Sequence, residues 1–187
     1  MSLTGKWVEF IYNTATGDME HKIIYAPIGA FLFLTFVCIF LIASVKVDQW
    51  LGLPLIFNWS LNWLISVPII LAGLFLMLYA IFHFVKVKGT PVPLFPPPVL
   101  VCSGPYKYSR NPMLTGVFIQ LFGLGIFLNS ISLCFVFTPL FILANFWELK
   151  NVEEPELEKR LGQEYIEYKE KTPMFFPSFK NNNYIEQ

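Results

Sequence analysis

Charge is absent from three long stretches of the chain, and those stretches predict its architecture. Residues 23–45 hold 23 consecutive uncharged residues, long enough to cross ~30 Å of hydrocarbon as a helix. The second uncharged run covers 49–85. Its first part contains Gly52, Pro54 and Asn58 and reads as a loop, with Trp50 and Trp59 at the lipid–water boundary. A helix follows over about 61–84. The third run, 111–147, has 37 residues, too many for one span, and Asn129-Ser130 divide it into a helical hairpin, 112–128 and 131–147. Beyond it, Leu157, Leu161, Tyr165 and Tyr168 recur at i, i+4, i+8 and i+11 and predict one amphipathic C-terminal helix. On that helix Glu153 and Glu154 fall toward the buried side, and Glu156, Lys159, Arg160 and Glu167 toward the other. In residues 1–22, Trp7, Phe10 and Ile11 have helical spacing, and two readings stay open: an extra interfacial helix or a frayed terminus.

Composition agrees with a membrane protein. Apolar residues make up 55% and charged residues 14% of the 187 residues, with 20 Phe, too little polar surface to solvate a fold of this size in water. Disordered chains are poor in apolar residues, so disorder is excluded. Lys+Arg and Asp+Glu both total 13, so no basic field exists to hold nucleic acid. Cys38, Cys102 and Cys134 lack metal-ligand spacing, and neither a zinc site nor a disulfide framework is expected.

Basic residues orient the spans. With four spans, Lys6 and Lys22, then Lys86, Lys88, Lys107 and Arg110, then Lys150, Lys159, Arg160, Lys169, Lys171 and Lys180 share one side, and Lys46 alone is opposite. The expected fold is therefore all-α, with four transmembrane helices, a C-terminal helix and both termini in the cytosol of a bacterial or endoplasmic-reticulum membrane. The first span is too long, and its flank too acidic, for a cleaved signal peptide. Three regions result: an N-terminal segment 1–22, two spans in 23–85, and 86–187 with the polar chemistry, including the hairpin 112–147.

The spans offer few polar groups, so chemistry is expected at the water side. The loop around Pro91, Pro93 and Pro96-Pro97-Pro98 is stiff and extended, with backbone carbonyls free for a ligand; by composition alone a rigid spacer or a partner-binding segment is the better account. Asn111-Pro112 predicts an N-cap and first helical residue, whose free N–H groups, with Arg110 beside them, suit an anion; an ordinary helix start with a flanking Arg is the plainer account. Glu153 and Glu154 suit a cation or an amino group; a solvated acidic first turn is the plainer account.

Taken in order, Leu100-Val101, Gly104-Pro105-Tyr106, Arg110-Asn111-Pro112, Glu153-Glu154 and Gly162-Gln163-Glu164-Tyr165-Ile166-Glu167-Tyr168 make the chain resemble integral-membrane methyltransferases, the family that includes isoprenylcysteine carboxyl methyltransferases and phospholipid N-methyltransferases. The resemblance covers about 80–177. It implies S-adenosylmethionine (SAM) as methyl donor, bound in a pocket closed by the C-terminal helix. The cofactor contacts it implies are Pro98, Val99, Leu100, Val101, Gly104, Tyr106, Arg110, Asn111, Pro112, Met113, Leu114, Glu153 and Glu154. Candidate catalytic groups are Arg110, Glu154 and Lys150. The chain departs from the pattern twice. Asn111 stands where the family has His, which removes a proton carrier. Leu149 stands where the carboxyl methyltransferases have Arg, and Lys150 replaces it only after a one-residue rotation. Gly123-Leu124-Gly125 resembles a family Gly-x-Gly but suits helix packing equally.

The function expected is methyl transfer from SAM to a lipid or other apolar acceptor, with a prenylcysteine carboxylate ranked second. A sterol-reductase-type enzyme using NADPH and a non-catalytic scaffold offering the Pro-rich loop are the alternatives.

Overall fold

A computed structural model describes residues 3–16, 19–57, 59–87 and 99–176. The stretch 88–98, which holds most of the Pro-rich loop and Pro98, lies outside the described residues. Among those described the chain is all-helical, without strands. Helix α1 is Leu3–Thr16, α2 Met19–Leu51, α3 Trp59–Lys86 and α4 Pro112–Phe127. Then follow α5 (Thr138–Glu148), α6 (Glu154–Leu161) and α7 (Gln163–Lys171). Residues 3–16 are thus helical and not frayed.

Three helical stretches, Phe31–Leu51, Ser60–Lys86 and Leu133–Leu161, are long and apolar enough to cross a membrane. Their exposed side chains include Phe31, Leu34, Leu64, Leu71, Phe75, Phe135 and Leu143, hydrocarbon suited to a lipid environment. Helix α4 is apolar but has 16 residues, about 24 Å of rise, short of the ~30 Å core.

Helix α5 does not end at Trp147 with a separate C-terminal helix beyond it. The backbone runs helically from 131 to 161, widened to π geometry at Leu133–Phe137 and Leu149–Glu153. Each widened turn stands just before a proline, Pro139 and Pro155. A proline ring collides with the carbonyl four residues back and cannot donate to it. The wider turn makes room, and the residue before each proline donates five back, Thr138 to Leu133 and Glu154 to Leu149. The helix that does break is the expected amphipathic one. Gly162 has φ +62°, in the left-handed region, and separates α6 from α7.

Packing rests on small residues and phenylalanines. Helices α3 and α4 make the largest helix–helix contact. A Cβ on Gly73 would overlap the Gly116 carbonyl, and one on Gly116 the Gly73 carbonyl, so the two backbones touch here. Gly123 packs on Ile70 and Gly125 on Cys134, which gives that Gly-x-Gly a packing role. Helix α2 joins through rings: Phe141 lies 6.1–6.2 Å from Phe33, Phe36 and Phe40, and 5.9 Å from Phe118 on α4. At the far end Asp48 Oδ1 accepts from Ser132 N–H at 2.9 Å, and Asn129 Oδ1, in a left-handed turn, accepts from Phe57 N–H at 3.1 Å.

Gly116→Leu must separate α3 from α4. It is expected to cost about 1–3 kcal/mol as overpacking and to lower the melting temperature in detergent, whereas Leu128→Ala, at an exposed position, should leave it nearly unchanged.

Candidate functional site

Between α3, α4 and the α5–α6 rod lies a cavity of about 520 Å³, within the ~300–1,000 Å³ range of small-molecule sites. Two parts of the chain far apart in sequence wall it. One is the loop and helix start from Val99 to Leu114; the other runs from Asn145 to Tyr168. The lower wall is hydrocarbon from Phe33 and Leu34 on α2 and Met77, Ile81 and Phe84 on α3.

The upper wall is ionic. Arg110 Nη1 stands 2.6 Å from Glu154 Oε1, and Lys169 Nζ 2.6 Å from Glu154 Oε2 and 2.9 Å from Glu158. Arg160 Nε donates to Glu156 Oε1 at 2.7 Å, one turn away. Glu154 and Glu156 are almost wholly buried, where an unpaired carboxylate would be unstable. Arg110 Nη1 and Glu154 Oε1 are in ion-pair contact without hydrogen-bond alignment, and protein encloses both atoms. Glu153 and Glu148 also line the cavity, and neither has a hydrogen bond or ion pair within the described residues.

Backbone and phenol contacts close the top. Tyr168 Oη donates to the Tyr106 carbonyl at 2.8 Å, docking α7 on the tight turn Gly104–Lys107, and Tyr106 packs on Phe84. The chain after α7 returns to α4. Arg110 and Asn111 N–H donate to the Pro173 and Met174 carbonyls at 2.9 and 3.0 Å, and Ser109 Oγ donates to Met174 at 3.0 Å. Phe175 then stacks edge-on to Phe118. Burial, then the Glu153 charge, holds the Tyr106 phenol above its ordinary pKa. Burial pushes the Cys102 thiol up to about 11, with Glu164 adding to it. Burial would lower Lys169, but its bonds to Glu154 and Glu158 outweigh this and raise it.

Val99, Leu100, Val101, Tyr106, Arg110, Asn111, Met113, Leu114, Glu153 and Glu154 all reach the cavity. Gly104, Pro112 and Lys150 do not line it. Gly104 has φ +59° and presses on the His83 ring, which also bonds Ser103; its role is to let the loop cross α3. Pro112 is buried at the start of α4. Lys150 is exposed, with Nζ 5.8 Å from the Phe146 ring one turn back. The one-residue rotation that would bring it inward is absent, and buried Leu149 faces the cavity instead.

Two further expectations are corrected. Asn111 makes no capping bond with its side chain; its N–H is taken by Met174, and so part of the expected anion site is filled by the chain itself. Glu156 and Arg160 face inward, not outward, because α1 covers the other side of α6. Sequence reasoning missed Asn145, Glu148, Glu156 and Arg160 as lining residues, although the i, i+3/i+4 spacing of 145, 149, 153, 156 and 160 marks one face.

A family model described as phospholipid methyltransferase matches residues 61–164. The curated nickel-cobalt-cadmium resistance protein NccN of Alcaligenes xylosoxydans xylosoxydans is 33% identical over 78 residues, 42% of this chain. The chain thus spans 36% of the length of the curated relative it matches. No solved structure matches.

Arg110→Ala leaves Lys169 as the sole partner of buried Glu154. It is expected to cost about 3 kcal/mol, the lower end for breaking a buried pair, read from denaturant unfolding in detergent. Tyr168→Phe removes one buried hydrogen bond and should cost about 1 kcal/mol.

Proposed function

We propose, on the premise that this chain belongs to the phospholipid methyltransferase family, that it transfers a methyl group from SAM to an amphiphilic acceptor at the water side of the membrane. The carrying observation is the cavity between the Val99–Leu114 and Asn145–Tyr168 stretches, with uncommitted carboxylates on one wall and hydrocarbon on the other. The residues fit the donor's chemistry. Glu153, unpaired by the protein, suits its ammonium. Asn111 and the start of α4 suit its carboxylate. Val101, Met113 and Leu114 supply apolar contact. When bound, SAM supplies a methyl group already activated on a cationic sulfur.

The protein's share is alignment and exclusion of water. Arg110 is read as a positioning residue, since Glu154 and Lys169 fix it against α7. A shallow groove between α2 and α5, lined by Phe33, Phe36, Phe141, Ala144, Asn145 and Glu148, shares Phe33, Asn145 and Glu148 with the cavity. Through it an acceptor chain enters from lipid while its head meets Glu148. The lining carries four glutamates against two arginines. That balance disfavours a prenylcysteine carboxylate and favours a headgroup with a basic nitrogen, whose proton Glu148 can take. Both arginines are committed to glutamates, so nothing here favours the 2′-phosphate of NADPH. Four spans with cytosolic termini put the cavity in the cytosol; α4 completes its span through the 128–130 turn.

Purified protein in lipid nanodiscs should bind SAM, and Glu153→Gln should bind it at least about tenfold more weakly, ~1.4 kcal/mol. Absence of binding by the wild type would remove the reading. With labelled SAM and total lipid extract, Ala144→Trp should keep SAM binding and lose transfer to lipid; transfer at the wild-type rate would remove the groove from the path.

A further inference from the structure

Helix α1 is not used by any step above, yet it is built into the site from outside. Its inner face packs on α6 and on the widened turn before it, with Ile11 buried. Glu9 Oε2 accepts from Lys159 Nζ at 2.9 Å, and the same Nζ lies 4.0 Å from the centre of the Tyr12 ring. Lys159 projects from the outer side of α6, whose inner side presents Glu156, Leu157, Arg160 and Leu161 to the cavity. Helix α1 is therefore backing for the cavity wall.

Among the described residues, the opposite face of α1 is exposed. Lys6, Trp7, Phe10 and Asn13 lie on it at i, i+1, i+4 and i+7, all exposed. Trp7 is 59% and Phe10 54% exposed, and their rings meet edge-on at 5.9 Å. Two adjacent aromatic rings with a lysine beside them match the chemistry of a phospholipid headgroup layer: amphipathic rings at the carbonyl level and a cation for phosphate. The next helix in the chain carries side chains already assigned to lipid. Two residues separate α1 from α2, which exposes Phe31, Leu32 and Leu34. The α5–α6 rod that α1 leans on leaves its apolar part at exposed Trp147, directly below the turn α1 touches.

We propose that α1 is a bilayer-surface brace: its Trp7–Phe10 face lies in the headgroup layer, and its Glu9–Tyr12 face holds α6 in place as the cavity wall. The partner is the lipid surface, not a second protein. Loss of that surface frees α1, and with it the outer support of α6. This inference stands on the packing of α1 and does not depend on the reaction assigned to the cavity.

The test uses the full chain in phosphatidylcholine nanodiscs. Trp7 is isolated as the difference between wild type and Trp7→Phe. Lipids brominated near the glycerol end should quench that difference signal, and aqueous iodide should not. Quenching by iodide with none by the brominated lipid would overturn the seat in the bilayer. Hydrogen exchange of residues 154–161 should accelerate about tenfold in Trp7→Ser/Phe10→Ser, and comparably in Glu9→Gln, which breaks the Lys159 clamp but leaves the aromatic face intact. Unchanged exchange in both variants would overturn the brace. SAM binding by the wild type, measured on the same samples, separates the two readings: its absence alongside the expected quenching and exchange would remove the methyl-donor reading and leave the brace standing.

Discussion

A carboxylate with two cations in a water-poor place holds the upper half of the molecule together. Glu154 receives Arg110 from the loop before α4 and Lys169 from α7. Three separate segments meet at one side chain, and neither buried Glu154 nor the largely buried Arg110 is tolerable there as a lone charge. Once Glu154 is fixed, α7 lies over the Gly104–Lys107 turn, Tyr168 reaches the Tyr106 carbonyl, and the chain after α7 is delivered to the start of α4. The cavity is the space left beneath this junction. Its ionic roof and hydrocarbon floor follow from where the apolar part of each helix ends.

Much of this was legible in the sequence because the signals were long or chemically loud. Uncharged runs of 23 and 37 residues locate helices whatever their partners, and the paired glutamates with the Arg-Asn-Pro start locate both walls. The rest depended on three-dimensional context. The predicted span 131–147 runs straight through Pro139, and only the structure shows the helix widening by one residue ahead of Pro139 and of Pro155. The outward face assigned to α6 assumed water on that side, and α1 occupies it. Asn111 had the chemistry of a cap, yet its backbone donor went to Met174, more than sixty positions away in sequence, a pairing no local pattern announces. The 173–175 return has no periodicity of its own; only Phe175, against Phe118, gives it an apolar reason to stay.

Charge on the cavity wall sets what can enter. Arginines that might have welcomed an anion are neutralised from within by Glu154 and Glu156, while Glu148 and Glu153 have no ion pair among the described residues. Leu149 and exposed Lys150 add no positive field inside. In a small enclosed space of low polarity such an imbalance acts strongly on a charged visitor, more than the near-neutral composition of the whole chain would indicate.

The continuous helix from 131 to 161 has one more consequence. Its lower part is in lipid and its upper part walls the pocket, and no flexible joint separates them before Gly162. A membrane-crossing helix tilts to match the thickness of its bilayer. Here the wall formed by its upper part must lean by the same angle, so the width of the cavity is geared to the thickness of the surrounding membrane.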